Sequence, residues 1–228
     1  MSEELAAVDT LSVPLKDQEI TYKTLQVLHG TPTVPKRYRE SPTGVQDMLA
    51  AVLHGREMGV GAMESIDKLF LVNGQKSMFG TLMCAQIYRN HHKIKVVVKP
   101  KAVTVIAYRR DPWTHEFDEQ GEWTFSDADA KKAYLDSKDT YEEYPQLMWA
   151  WRAISAVSRI YFADCLAGIG YTPEEVGLVE HPEPLPDFVE LEVDGVDLDV
   201  QDATVVVKDV FPEAEVVMDR EVEGMVQD

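Results

Sequence analysis

One segment constrains the fold more than any other, because residues 145–166 have the pattern of a long helix that is apolar around most of its circumference. Pro145 is favoured at the first position of a helix, and Gly168 follows the end of the pattern. A helix that is apolar on nearly all sides must be surrounded by other elements. The sequence therefore predicts a central, largely buried helix from Pro145 to about Leu166. Its large apolar residues are Leu147, Met148, Trp149, Trp151, Ile154, Val157, Ile160 and Tyr161.

Short β-strand patterns precede this helix. Two β-branched runs, Ile94–Val98 and Val103–Tyr108, flank Lys99-Pro100-Lys101 and predict an antiparallel pair of strands. Asn73-Gly74 is typical of a tight hairpin turn and predicts a second, shorter pair around it. The fold class is therefore α+β: a small antiparallel sheet packed with helices, one of them long and central. The other predicted elements are a strand at 121–125 and helices at about 45–59, 79–88 and 127–135.

Proline positions and charge divide the chain into four segments. Three prolines between residues 10 and 40 predict an irregular lead-in without a long helix, and three more around residue 184 mark a linker. We expect an N-terminal arm at 1–40, a core at 41–179, a proline-rich linker at 180–187 and an acidic C-terminal interaction segment at 188–228.

The formal net charge of −18 is concentrated in the last quarter of the chain. Residues 1–172 hold 20 Lys and Arg against 22 Asp and Glu, whereas residues 173–228 hold 2 against 18. Such a segment is disordered by default, but it also contains 14 valines. Its residues around Asp194-Gly195 predict a weak hairpin in which like charges face each other, and a basic or apolar partner would stabilise it.

The core contains a positively charged stretch without carboxylates. No Asp or Glu occurs between Asp67 and Asp111, whereas nine Lys and Arg residues do. Strand alternation places Lys93 and Lys95 on one face, and aromatic residues are interleaved with the cations. These features are typical of a groove that holds the backbone of single-stranded nucleic acid and offers stacking surfaces.

Two arginines on the long helix extend this hypothesis. Arg152 and Arg159 lie on a narrow polar stripe of an otherwise apolar helix, where a guanidinium must be paired or face solvent. They belong either to the same groove or to structural ion pairs. The candidate partners for such pairs are Asp127, Asp129 and Asp164.

Enzyme motifs are incomplete in this sequence. Gln75 interrupts the Gly-Lys pair that a phosphate-binding P-loop needs, and the preceding glycine is missing. The six histidines show no metal-binding spacing, and the adjacent His91 and His92 read as exposed loop residues. We therefore expect no catalytic residue, no metal and no cofactor.

One enzymatic alternative stays open. The carboxylates between residues 111 and 122 could bind magnesium in a nuclease, although solvated loop carboxylates are the simpler interpretation. These residues are Asp111, Glu116, Asp118, Glu119 and Glu122.

The cysteines and the first residues of the chain predict the cellular compartment of the protein. Cys84 and Cys165 lie in apolar helical patterns and read as small core residues, as in a reducing cytosol. The first residues lack the basic and apolar regions of a signal peptide, and no apolar run approaches the ~18 residues that a membrane span needs. We expect a cytoplasmic protein without a membrane partner.

Short sequence words run in order along residues 25–177. They are Thr31-Pro-Thr-Val-Pro-Lys-Arg-Tyr-Arg39, Gly55-Arg-Glu-Met-Gly59, Val72-Asn-Gly-Gln-Lys76, Tyr88-Arg89, Thr124-Phe-Ser-Asp-Ala128, Tyr144-Pro-Gln-Leu-Met148, Arg152-Ala153, Phe162-Ala-Asp164 and Tyr171-Thr-Pro-Glu-Glu175. In this order the words resemble the RecT family of phage single-strand annealing proteins. The chain departs from the family pattern at Gln75, which separates Gly74 from Lys76, and at 90–92, where a glycine turn is usual.

The resemblance implies a recombination mediator that binds single-stranded DNA and anneals it to a complementary strand without ATP, and so no enzyme. It also implies a core remotely like that of Rad52, homo-oligomeric rings or helical filaments, a bacterial host cytoplasm, a partner exonuclease and a host single-strand binding protein as a further candidate partner. The resemblance places Lys76, Arg89 and Arg152 at the DNA. Together with the charge pattern, the candidate DNA-binding residues are Lys76, Arg89, Lys93, Lys95, Arg109, Arg110, Arg152 and Arg159.

The acidic segment carries a further alternative. It could be the main functional element, either an interaction module or a DNA mimic that recruits a protein partner. A tethered polyanion is also expected to compete with DNA for the positive groove at low salt.

Overall fold

The computed structural model of the protein describes residues 15–72, 75–169, 172 and 183–193. The described chain is α+β, as predicted. The helices are α1 (Leu15–His29), α2 (Lys36–Arg39), α3 (Gly44–Glu57), α4 (Ala62–Lys68), α5 (Gly80–Arg89), α6 (Asp127–Lys132), α7 (Asp139–Glu143) and α8 (Pro145–Tyr161). The strands are β1 (Leu69–Val72), β2 (Gln75–Met78), β3 (Lys93–Lys99), β4 (Ala102–Arg110), β5 (Phe117–Ser126) and β6 (Glu190–Val193).

A four-stranded sheet in the order β5-β4-β3-β6 forms one layer of the fold. The predicted hairpin is confirmed, since β3 pairs antiparallel with β4 and Val98 lies opposite Val103. The sheet is not wholly antiparallel, because β6 pairs parallel with β3. The sequence predicts residues 189–193 as one strand of the weak hairpin around Asp194-Gly195, but it does not predict that this strand pairs with the edge of β3. A separate two-stranded sheet joins β1 and β2, whose turn at 73–74 lies outside the described residues.

Helix α8 is the predicted central helix. Trp151, Ile154 and Val157 are buried and pack in one cluster with the inward side chains of β3 and β4. The helix ends at Tyr161 rather than at the predicted Leu166. One reason is that the guanidinium of Arg109 donates to the carbonyl oxygen of Tyr161 at 2.8 Å, which takes the place of the next helical hydrogen bond. Phe162 then leaves helical geometry and is fully buried in the core.

The N-terminal arm contains a long helix, which corrects the prediction of an irregular lead-in. Helix α1 occupies the proline-free interval between Pro14 and Pro32, so the prolines bound the helix instead of preventing it. Its Leu25 is buried in a small cluster that also holds Val34 and Tyr38 of the arm. The other members of this cluster are Met48, Val52 and Ile66 of the core.

Local sequence patterns were accurate in several shorter elements. Ser126 and Asp129 form the predicted capping box at the start of α6, which ends at Lys132, before the predicted Leu135. Strand β5 begins at Phe117, earlier than predicted, and is interrupted by a register shift between Ala107 and Tyr108 of β4. Both cysteines are free and buried, as predicted. None of the helices in the described ranges combines the length and the apolar character that crossing a membrane requires.

Residues 183–193 pack onto the core, which differs from the predicted linker. Leu185 and Val189 are 2% and 4% exposed and belong to the cluster around α8. The carbonyl oxygen of Glu183 accepts a hydrogen bond from Nε1 of Trp151 at 2.8 Å. The predicted hairpin at 194–195 and the acidic residues after Val193 lie outside the described residues.

Candidate nucleic-acid interface

The surface of the four-stranded sheet that points away from α8 is here called the outer sheet face. On β3 the inward residues are Ile94, Val96 and Val98, which are buried. Because side chains alternate along a strand, the lysines at 93, 95 and 99 point to the outer sheet face, as predicted for the first two. They form a row of cations along one strand in the middle of the sheet.

An open groove of about 370 Å³ lies on the outer sheet face. It crosses the sheet from β6 to β5, and hydroxyl groups form its floor where Thr104 of β4 lies beside Thr124 of β5, with 2.8 Å between their oxygens. Its charged lining residues are Lys95, Lys99, Glu122 and Glu192. The groove therefore offers both cations and carboxylates.

Two aromatic rings hold Lys93 at one end of the row. Its Nζ lies 5.0 Å from the ring centroid of Tyr108 and 5.0 Å from that of Phe117. Phe117 is about half exposed at 45%. Such cation–π contacts fix the ammonium over the rings and leave part of the ring surface open to a further flat group.

Strand β6 brings carboxylates to the same lysines. Glu190 Oε2 lies 3.3 Å from Nζ of Lys93, and Glu190 Oε1 lies 3.8 Å from Nζ of Lys95. Lys95 also donates a close hydrogen bond to Glu192, and this bond raises the pKa of the lysine. Two cations of the stretch without carboxylates are thus paired with a segment about a hundred residues further along the chain.

Arg109 points to the helical side of the sheet, away from Lys93 and Lys95. Its guanidinium makes two hydrogen bonds to the carboxylate of Asp164, of 3.0 and 2.6 Å, besides the bond to Tyr161. The pair holds the pKa of Asp164 below its usual value and raises that of Arg109. Arg109 thus has a structural role at the end of α8.

Arg110, the next residue, points to the outer sheet face near the hairpin loop. Its Nε donates to the carbonyl oxygen of His115 at 3.3 Å, and its backbone N–H donates to Nδ1 of His92 at 3.1 Å. His92 is partly buried and stacks on Phe162 with 5.7 Å between ring centroids, so it is not the exposed loop residue that was predicted. Burial, with the nearby Arg109, lowers the pKa of His92.

Lys76 lies on β2, in the part of the molecule built by α3 and the short sheet. Its Nζ is 3.0 Å from Nδ1 of His54, a buried residue on α3. Burial, together with the charge of Lys76, lowers the pKa of His54. The imidazole is therefore neutral near pH 7 and accepts a hydrogen bond from the lysine.

The remaining predicted cations lie on helices. Arg89, at the end of α5, donates from Nη2 to both carboxylate oxygens of Glu64 at 3.1 and 3.0 Å. Arg152 donates from Nε to the hydroxyl of Tyr141 at 2.8 Å. Arg159 lies in the last turn of α8. The structure therefore brings together Lys93, Lys95 and Arg110 on the outer sheet face and leaves the other five candidates elsewhere.

The carboxylates between residues 111 and 122, which could bind magnesium in a nuclease, lie in a turn or on a strand. Oδ1 of Asp111 accepts the backbone N–H groups of Trp113 and Thr114 at 2.8 and 2.7 Å, which lowers the pKa of Asp111. In the described parts of the chain, no three His, Cys, Asp or Glu side chains are grouped so that they could hold a metal ion.

Sequence reasoning missed Phe117, Glu190 and Glu192 as members of this surface. Glu190 and Glu192 alternate with Leu191 and Val193, which is a strand pattern whose charge is opposite to that of β3. This pattern was the available clue. No family model, curated protein or solved structure matches the chain. The likeness to the RecT family stays a prediction from the sequence words.

Proposed function

We propose that this protein binds single-stranded DNA and anneals complementary strands without ATP, as a RecT-type protein of phage homologous recombination. The observation that carries the proposal is the row of lysines at 93, 95 and 99 on the outer sheet face, beside the rings of Tyr108 and Phe117. Lys93 and Lys95 are alternate residues of the strand and lie about 6.6 Å apart, and Lys99 lies about twice that distance beyond Lys95. An extended polynucleotide backbone can follow such a line. The rings beside Lys93 provide stacking surfaces for bases.

Annealing requires that phosphates are held while base edges stay free. Lysines meet this requirement, because an ammonium can hold a phosphate as a point charge without engaging a base edge. Neutralising the phosphates lowers the repulsion between two strands, and correct pairing then gains about 1.4 kcal/mol of stacking energy per base-pair step. No nucleotide hydrolysis is needed to drive the reaction.

The assembly belongs to the same proposal. The core is remotely like that of Rad52, and copies of the chain form a ring or a helical filament in which the outer sheet faces make one continuous track. The acidic segment from 188 onward recruits a partner exonuclease and a host single-strand binding protein. These steps take place in the bacterial host cytoplasm.

The test is an annealing assay with two labelled complementary oligonucleotides, without ATP, across a salt series and with or without magnesium. We expect intact strands and faster duplex formation with protein than without it, with the effect declining as salt rises. Duplex formation at the spontaneous rate would refute annealing. Shortened strands in magnesium would support the nuclease alternative instead.

A further inference from the structure

Strand β6 occupies the surface on which the proposed function places DNA. Its two carboxylates form ion pairs with Lys93 and Lys95, which are the lysines that would hold phosphates. We propose that β6 is a built-in competitor of single-stranded DNA, and that it must leave β3 before these two lysines can bind phosphates. This inference rests on the proposed function and adds a regulatory step to it.

The register explains why β6 presents a line of negative charge on the outer sheet face, as a polyanion would. In the parallel ladder Glu190 lies opposite Lys95, and Glu192 lies opposite Val97. Alternation sends both carboxylates to the outer sheet face, while Leu191 packs against the core on the other side. The strand therefore presents negative charges at every second residue, along the same line as the lysine row.

The ion pairs of β6 are of a kind that another polyanion can replace. Glu190 and Glu192 are each 48% exposed, and the lysines are 32% and 25% exposed. Ion pairs open to solvent add little stability and are screened by salt. Single-stranded DNA carries a denser line of charge and releases counterions when it binds, so it can displace two carboxylates.

The base of β6 is held much more firmly than β6 itself. Val189, the residue before β6, is buried, and the carboxylate of Glu183 receives hydrogen bonds from Lys68 and from Thr81. In contrast, the residues of β6 alternate between exposed and half-buried. Release can thus begin at Glu190 while residues 183–189 stay in place.

The rest of the acidic segment strengthens this competition. Residues 194–228 hold 11 Asp and Glu against 2 Lys and Arg. They are tethered directly to β6 by the chain, and tethering raises the effective concentration of a competing charge. DNA must compete with a tethered ligand, which weakens its apparent affinity most at low salt.

One experiment locks β6 in place in the full chain. Val98 and Val193 lie opposite each other in the ladder, so V98C/V193C places two thiols where a disulfide can join β3 to β6 and keeps Glu190 and Glu192. We expect the oxidised variant to lose most of its binding to labelled oligothymidine and to recover it after reduction, with V98C alone unaffected by oxidation. Equal binding by both forms would overturn this inference and leave the proposed function standing. Failure of every form, the unmodified chain included, to bind would overturn both.

A second variant removes the charges and keeps the strand. E190Q/E192Q preserves the backbone pairing, and E142Q/E143Q on the exposed surface of α7 changes the net charge by the same amount. We expect E190Q/E192Q to bind oligothymidine about threefold to tenfold more tightly than the control variant at low salt, with the difference vanishing as salt rises. Equal affinities for the two variants would overturn the inference, because the effect would then be one of net charge alone.

Discussion

Arg109 and Asp164 join the end of a sheet strand to the end of the central helix. Two hydrogen bonds of 3.0 and 2.6 Å connect the guanidinium to the carboxylate, and the same guanidinium donates to the carbonyl oxygen of Tyr161. A cation at the C-terminus of a helix also interacts favourably with the helix dipole. This contact explains why α8 ends at Tyr161 although the apolar pattern continues to Leu166.

The first prediction concerns the stability that this contact provides. We expect Arg109→Ala to lower the free energy of unfolding by about 1–2 kcal/mol, because charged hydrogen bonds are lost and the pair is partly exposed. Asp164→Asn should have a smaller effect of the same sign. Urea denaturation at constant slope measures both, and unchanged midpoints would contradict the structural role of Arg109.

The pH dependence of the same pair gives a separate check. Arg109 lowers the pKa of Asp164 in the folded state, so the stabilisation is complete above the usual pKa of an aspartate, about 3.9. It is lost as pH falls through the lowered pKa. The difference in stability between the unmodified protein and Asp164→Asn should therefore be constant from neutral pH to about pH 5 and shrink below about pH 4. A difference that grows on acidification would refute this linkage.

The second prediction tests the packing of α5 against α8. A Cβ atom on Gly80 would lie 2.3 Å from Cε3 of Trp151, and the buried indole has no room to move. We expect Gly80→Ala to destabilise the fold by about 1–3 kcal/mol through overpacking. Gly30→Ala is the matched control, because its Cβ meets nothing within 4 Å. Its unfolding midpoint should stay close to that of the unmodified protein.

Much of the fold could be predicted because it depends on local patterns. The β3–β4 hairpin follows from two β-branched runs around a Lys-Pro-Lys turn, and the start of α6 follows from the Ser126 and Asp129 capping box. Pro145 marks the start of α8 correctly. In each case the deciding residues lie within a few positions of each other in sequence.

The rest of the structure depends on contacts that are distant in sequence. The end of α8 depends on the contact with Arg109, and β6 pairs with a strand that is far away in sequence. Helix α1 was missed because the three prolines of the arm predict breaks in a helix, whereas α1 lies in the interval between Pro14 and Pro32. The candidate site was predicted in part for the same reason: alternation placed Lys93 and Lys95 correctly, but the positions of Arg109 and Arg152 depend on tertiary partners.

The third prediction separates the outer sheet face from the other cations. We expect K93A/K95A to weaken binding of single-stranded DNA at all sequences alike and to reduce the slope of log K against log salt by about 1.4, since each single-strand phosphate contact contributes about 0.7. K131A/K132A on α6 removes the same charge from another exposed surface and is the control. Equal slopes for the two variants would show that the phosphate contacts are not made by β3.

The fourth prediction concerns His54, whose Nδ1 accepts from Lys76. The charged groups near the imidazole are Lys76 at 3.0 Å and Glu57 at 3.4 Å, and burial together with Lys76 lowers the pKa of His54. The folded state thus favours the neutral imidazole, and stability is complete above the usual pKa of a histidine, about 6.5. As pH falls below this value the unfolded chain binds the proton first, so the protein loses stability.

A non-titrating variant isolates this contribution. His54→Gln keeps a side chain that can accept a hydrogen bond from Lys76 but cannot gain a proton. Between pH 7 and pH 5 we expect the unmodified protein to lose stability relative to His54→Gln, measured by urea denaturation at each pH. Parallel pH profiles would show that His54 does not titrate differently in the folded and unfolded states.

The last prediction compares two deletions at the C-terminal end of the chain. Deleting residues 180–228 also removes Leu185 and Val189 from the core and leaves Nε1 of Trp151 without the carbonyl of Glu183. Burying a Leu or Val side chain contributes about 1.5–3 kcal/mol each, so this deletion should cost about 4 kcal/mol or more. Deleting 194–228 keeps these contacts of 183–189 and should therefore cost less than the longer deletion. Equal stability of the two deletions would contradict the packing of 183–189. If the shorter deletion no longer binds a partner exonuclease, the lost binding can be attributed to the acidic residues. The same result for the longer deletion cannot, because that deletion also disturbs the core beneath β6.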